Sequence, residues 1–261
     1  VSKDRPFVTR TSFTLPQSAF AMGEWAAKNK IKRVATLVSD YSPGHDAEKF
    51  FVETFKANGG EVIESLRVPM TAVDFSPFLQ KLRESKPDAL FIFVPGSSSA
   101  VPLAKQFLER GLDKIGVKLI GTGDLTDDDQ LNNMGDGMLG VITAHLYSAD
   151  HESTANKNFV AAFKKANNYR PNFFAVGGYD GMHAIYQAIK ATQGKGSGEA
   201  LLNAMKGLKW ESPRGPMSID PETRDVVQNI YLRKVERKNG ELYNVEFDLI
   251  KDLKDPGKAV K

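Results

Sequence analysis

Cysteine is absent from the 261-residue chain, which removes disulfides, thiolate metal sites and cysteine nucleophiles together. Charge of one sign is lacking as well: 35 Lys and Arg stand against 32 Asp and Glu, for a net charge of +3. No basic block interleaved with aromatics occurs, so no nucleic acid is expected as a partner. The longest apolar run, Ala89 to Val94, is too short to span a bilayer. The opening residues, Val1-Ser2-Lys3-Asp4-Arg5-Pro6, lack the apolar core of a signal peptide. For an exported protein, the targeting signal is therefore expected to lie outside this chain. No Gly-x-x-x-x-Gly-Lys is found, and Gly121-x-Gly123 is too short for a dinucleotide fingerprint, so no cofactor is expected.

What remains is ordinary for a globular protein, 41% hydrophobic and 26% charged, with length for one large domain or two modest ones. From residue 30 to about 147, apolar β-branched runs stop at turn residues and helix-period segments follow. Strands are predicted at Arg33–Val38, Glu61–Val68, Ala89–Val94, Val117–Ile120 and Leu139–Leu146. Helices are predicted at Asp46–Asn58, Phe75–Ser85 and Val101–Gly111. Strands alternating with single helices give βαβ units and a parallel sheet covered on both faces, an α/β doubly wound class. Beyond this block the pattern changes to three helices, over 153–167, 173–192 and 197–206. Strand pattern returns in Val226–Val235 and Leu242–Ile250 around Asn239-Gly240, a hairpin signal. The flanking helices belong to a second lobe short of strands, or form a helical appendage on the first sheet.

In an open parallel sheet, ligands bind outside the carboxyl ends of the strands. Three loops there carry suitable chemistry: Ser39-Asp40-Tyr41-Ser42-Pro43-Gly44, Pro95-Gly96-Ser97-Ser98-Ser99 and Gly121-Thr122-Gly123-Asp124. Tyr41 offers a flat apolar face with a hydroxyl at its tip and is the strongest ligand-contact candidate. Ser39, Gly96, Ser97, Thr122 and Asp124 complete the candidate set. For Ser97 to Ser99, helix capping competes with ligand contact, and Asp127-Asp128-Asp129 is expected to fill a helix first turn. A serine hydrolase using Ser98, with Asp124 and one of His145, His151 or His183, is a minor alternative, because three serines at a helix start serve capping more often than catalysis. A metal at His145-x5-His151 has less support still.

Several segments together resemble a known family: Arg10-Thr11-Ser12-Phe13 before a helix, Thr36-Leu37-Val38-Ser39-Asp40-Tyr41 with Gly44, and Asp74-Phe75-Ser76-Pro77-Phe78-Leu79 before Lys86-Pro87-Asp88-Ala89. Gly121-Thr122-Gly123 and Gly178-Tyr179-Asp180 extend the match. The chain is similar to type I periplasmic substrate-binding proteins of ABC importers, in their branched-chain amino-acid-binding-like branch. This resemblance implies a two-lobed, hinged Venus-flytrap fold that lacks the N-terminal part of lobe one. Residues 15–147 would form the complete second lobe, while 1–14 and 148–261 supply hinge segments, the partial other lobe and returning C-terminal strands. It further implies a non-catalytic, periplasmic or membrane-anchored extracytoplasmic protein that delivers an amino acid or an aromatic or other organic acid to a membrane permease. A sensory ligand domain of the same fold is the alternative, and self-association through the incomplete lobe is expected. Tyr41 falls where the family has an aromatic ligand contact. The acidic residue that pairs with an amino-acid ammonium in the family aligns near Gly123, one step from Asp124. Arg10 and Phe13 fall near the hinge, Arg10 as a ligand carboxylate partner or in a structural ion pair.

Overall fold

The computed structural model describes residues 5–258, apart from the side chains of Ser97 and Ser98. Strand and helix alternate through α1 (Leu15–Lys28), β1 (Arg33–Ser39), α2 (Ser42–Ala57), β2 (Glu61–Val68), α3 (Ser76–Ser85), β3 (Ala89–Phe93), α4 (Gly96–Glu109), β4 (Lys118–Thr122), the short α5 (Leu131–Met134) and β5 (Ile142–His145). Three helices follow, α6 (Thr154–Asn167), α7 (Phe173–Ala191) and α8 (Gly198–Met205). The chain then returns through β6 (Lys209–Ser212), β7 (Gly215–Ile219), β8 (Val226–Lys238) and β9 (Glu241–Leu253). Local chemistry sets several of these starts. Thr14 and Gln17 form a capping box on α1, while the side chains of Ser153 and Asn172 cap α6 and α7.

All strands join one nine-stranded sheet of order β2-β1-β3-β4-β5-β8-β7-β6, with β9 paired to β8. Pairing from β2 through β5 is parallel. The period of two along each strand divides the apolar residues between two faces. Val34, Val38, Phe91 and Phe93 pack with α1 and α2, whereas Ala35, Leu37, Leu90 and Ile92 pack with α3 and α4. Every residue of β3 is buried, as its unbroken apolar sequence requires.

β8 runs antiparallel to β5 over Tyr231–Lys234 and to β7 over Val226–Gln228, while β9 follows its other edge. The sheet thus passes from a parallel region to an antiparallel one along a single long strand. β6 and β7 are too short to show a period in the sequence, and they close around Pro213-Arg214. A buried ion pair, Arg214 to Asp180 at 2.8 Å, ties them to α7, with Trp210 and Ser212 also donating to Asp180. Among the described residues, no helix is long and apolar enough to cross a membrane.

Two local expectations need correction. Asp127 and Asp128 do not fill a helix first turn: both are buried, and α5 begins only at Leu131. Asp128 instead accepts from Ala149 and pairs with Arg170 at 3.5 Å, partners remote in sequence. Helix α4 also starts earlier than its apolar period indicates. Pro95 is its N-cap residue, which puts Ser97–Ser99 inside the first turn and leaves a shorter loop after β3.

Candidate functional site

In the order β2-β1-β3-β4-β5, the chain leaves β1 toward one edge and then returns past it to build the other. The carboxyl ends of β1 and β3 therefore flank the topological switch point, where such sheets open a crevice. Tyr41 stands there as the N-cap residue of α2. Its ring stacks on Phe93, the last residue of β3, with centroids 6.1 Å apart and planes at 21°. The Tyr41 amide donates to the Ser39 carbonyl at 2.9 Å, closing a tight turn. Gly44 makes that turn feasible, because a Cβ there would sit 1.9 Å from the Ser39 oxygen. Ser39 is itself buried. Across the crevice, Gly96 opens α4 with a left-handed φ of +46°, a conformation that suits glycine.

At the end of β4 the Thr122 hydroxyl donates to the Asp124 carboxylate at 2.9 Å. Burial raises the Asp124 carboxyl above its usual range, against the lowering effects of this hydrogen bond and of the Arg233 charge. Burial also raises the Tyr41 hydroxyl, and the Asp124 charge adds to that shift. The two loops thus bring an aromatic hydroxyl and a carboxylate into electrostatic contact. Arg233, fully buried on β8, donates to the Gly123 carbonyl at 3.4 Å, to the Thr143 hydroxyl at 3.0 Å and to the Tyr147 carbonyl. It holds the Gly123–Asp124 turn from behind.

An aromatic cluster adjoins this turn. His145 meets Phe13 and Phe173 edge-on at 5.2 and 4.6 Å, Phe13 meets Phe173 at 5.5 Å, and Phe174 lies 4.1 Å from Phe173. Phe174 is 70% exposed.

The structure therefore gathers Ser39, Tyr41, Gly96, Thr122, Asp124 and Phe13 at one end of the sheet. The Ser97 and Ser98 side chains lie outside the described residues. Ser99 is buried, with its hydroxyl on the Ala72 carbonyl at 3.4 Å. Arg10 pairs with Asp225 at 3.0 Å. The histidines disperse: His151 bonds Glu246 at 2.8 Å, and His183 stacks on Trp210. Among the described residues, no group of three potential metal ligands occurs. Phe93, Phe173, Phe174 and Arg233 were not singled out as site residues from sequence, and His145 was considered there only for the hydrolase and metal alternatives. Phe93 had a visible signal as the last aromatic of an apolar strand, but the approach of Arg233 from β8 had none.

A family model described as periplasmic binding protein matches residues 2–241. The chain belongs to the periplasmic binding protein family. Leu/Ile/Val-binding protein homolog 6 of Brucella suis biovar 1 is 42% identical over 255 residues, covering 97% of this chain and 65% of the relative. The chain thus spans 65% of the length of the curated relatives it matches. Among solved structures, a solute-binding protein of an ABC transporter from Rhodopseudomonas palustris BisB5, in complex with 3,4-dihydroxybenzoic acid, is 61% identical with a TM-score of 0.93, over 97% of this chain and 70% of that one. Another, from R. palustris HaA2 in complex with p-hydroxybenzoic acid, is 40% identical with a TM-score of 0.94, over 97% and 70% of the two chains.

Proposed function

We propose that this periplasmic binding protein captures a hydroxybenzoate, rather than a free amino acid, outside the cytoplasm and delivers it unchanged to an ABC permease by hinge closure. The observation that carries this reading is the Tyr41 ring, backed by Phe93 at the switch point, together with Asp124 on its Thr122 support at the end of β4. A benzene ring stacks on Tyr41 at offset or edge geometry, and its ring hydroxyl donates to Asp124. Burial raises the Asp124 carboxyl despite Arg233 behind Gly123, and a phenolic hydroxyl donates to it without bringing a further charge into the site. The ligand carboxylate points away from Asp124, toward Gly96, Ser97 and the opposite wall of the cleft. Ser39 shapes the Tyr41 turn, and Phe13 borders the site. The ligands carried by the two R. palustris proteins support the same chemical class.

In this reading residues 15–147 act as one lobe, and the flanking segments cross the hinge. Ligand contacts to both walls favour the closed state that the permease recognises. The apolar face of α7 (Phe174, Tyr179, Met182, Ile185, Tyr186 and Ile189) is exposed and drives association between copies of this chain. Calorimetry on the full-length protein tests the ligand assignment with 4-hydroxybenzoate, 3,4-dihydroxybenzoate, benzoate and leucine. One-to-one binding of the hydroxybenzoates, with little heat from leucine, is expected. Tight leucine binding without a response to either hydroxybenzoate would reject it.

A further inference from the structure

His145 is a buried polar residue of this region that the described hydrogen bonds leave unexplained. It ends β5 at 1% exposure, and neither ring nitrogen has a hydrogen-bond partner among the described residues. Buried polar atoms are paired in the great majority of native sites, and an orphan is costly. The ring lies directly on the ligand-facing turn: a Cβ added to Gly123 would fall 2.1 Å from its Cγ. Its neighbours Phe13 and Phe173 present ring edges to it, and Phe13 is only partly buried.

We propose that His145 is the polar floor of the ligand site and hydrogen-bonds a second ring hydroxyl, beside the one taken by Asp124. Burial, together with the charges of Arg233 and Arg214, holds the imidazole well below its ordinary pKa. A neutral imidazole carries one donor and one acceptor, and a phenolic hydroxyl satisfies either. The ring lies against Gly123, and Asp124 is the next residue of the same turn, so both recognition groups belong to one turn, as the two vicinal hydroxyls of a catechol acid require. His145 thereby favours 3,4-dihydroxybenzoate over 4-hydroxybenzoate.

This assignment rests on the hydroxybenzoate reading, and the experiment separates the two. The full-length protein and its His145→Phe, His145→Gln and His145→Asn variants are titrated with both acids, and the ratio of the two Kd values is compared. Loss of one hydrogen bond on binding corresponds to about tenfold. A wild-type preference of that order for the dihydroxy acid, abolished in His145→Phe and recovered in His145→Gln or His145→Asn, is expected. A purely structural role would weaken both ligands equally and leave the ratio unchanged. Equal wild-type affinities, or a ratio preserved in His145→Phe, would overturn the assignment and leave the hydroxybenzoate reading standing. Failure of the wild type to bind either acid would remove both.

Discussion

Tyr41 combines a half-buried ring with a backbone turn that Gly44 alone makes feasible. Its side chain packs at the margin of the core without being enclosed by it, so under the proposed function Tyr41→Ala is expected to weaken hydroxybenzoate binding by about tenfold or more with little change in Tm. Tyr41→Phe, which keeps the ring, should retain most of the affinity; calorimetry and a thermal melt check both. Asp127 behaves oppositely. Burial first, then the charges of Asp128, Asp129 and Asp124, push its carboxyl well above the ordinary range. The folded chain therefore holds this proton more tightly than the unfolded chain. Stability from this group falls as pH rises from the usual carboxylate value through the raised one. Asp127→Asn is expected to remove this pH dependence at a cost of about 1 kcal/mol, because its amide nitrogen would face one of the two N–H donors, the Asp128 amide and Asn172 Nδ2, that the carboxyl oxygens serve. Melts of wild type and variant from acidic to alkaline pH read the difference in slope.

At the scale of elements, β8 and β9 carry the most consequence. Their turn, Asn239-Gly240, has φ values of 52° and 86°, the doubly positive pattern that matches the twist of a two-residue hairpin. From this hairpin Glu246 reaches back to His151, just beyond β5, at 2.8 Å with both side chains mostly buried. Burial opposes protonation of His151, but the Glu246 hydrogen bond and the charges of Glu246, Glu211 and Glu152 outweigh it and raise its pKa. The pair's contribution is fully present below the unfolded-state histidine value and is lost as pH rises through the folded one. His151→Gln should accordingly cost more stability at pH 6 than at pH 8.5, by about 1 kcal/mol. Denaturant midpoints at the two pH values, for wild type and variant, measure that difference.

At the scale of the whole molecule, the two faces of the parallel sheet are well covered, whereas α7 is apolar on both sides and buried on one. Its inner face packs Phe173, Val176, Asp180, Ala184 and Ala188; its outer face exposes Phe174, Met182, Ile185 and Ile189. A face of this kind on a water-exposed helix favours association. Sedimentation of this chain is expected to show a concentration-dependent dimer, and Ile185→Asp combined with Tyr186→Asp is expected to return it to monomer. A monomer at all concentrations would mean that the face is tolerated bare.

Hydrophobic period and turn residues determined the parallel block by themselves: each strand from β1 to β5 falls within a few residues of its apolar run, because buried strands need unbroken apolar stretches and helices need a 3.6 period. The positions of Tyr41, Thr122 and Asp124 at strand ends followed from the same logic, since a strand's carboxyl end is readable once its run stops. The short strands β6 and β7 were not readable, because four or five residues carry too little period. Only the tertiary structure could put Phe93 behind Tyr41, His145 beneath Gly123, and Arg233 and Asp180 into buried pairings. These contacts join residues far apart in the chain, and sequence spacing holds no information about which strand lies beside which.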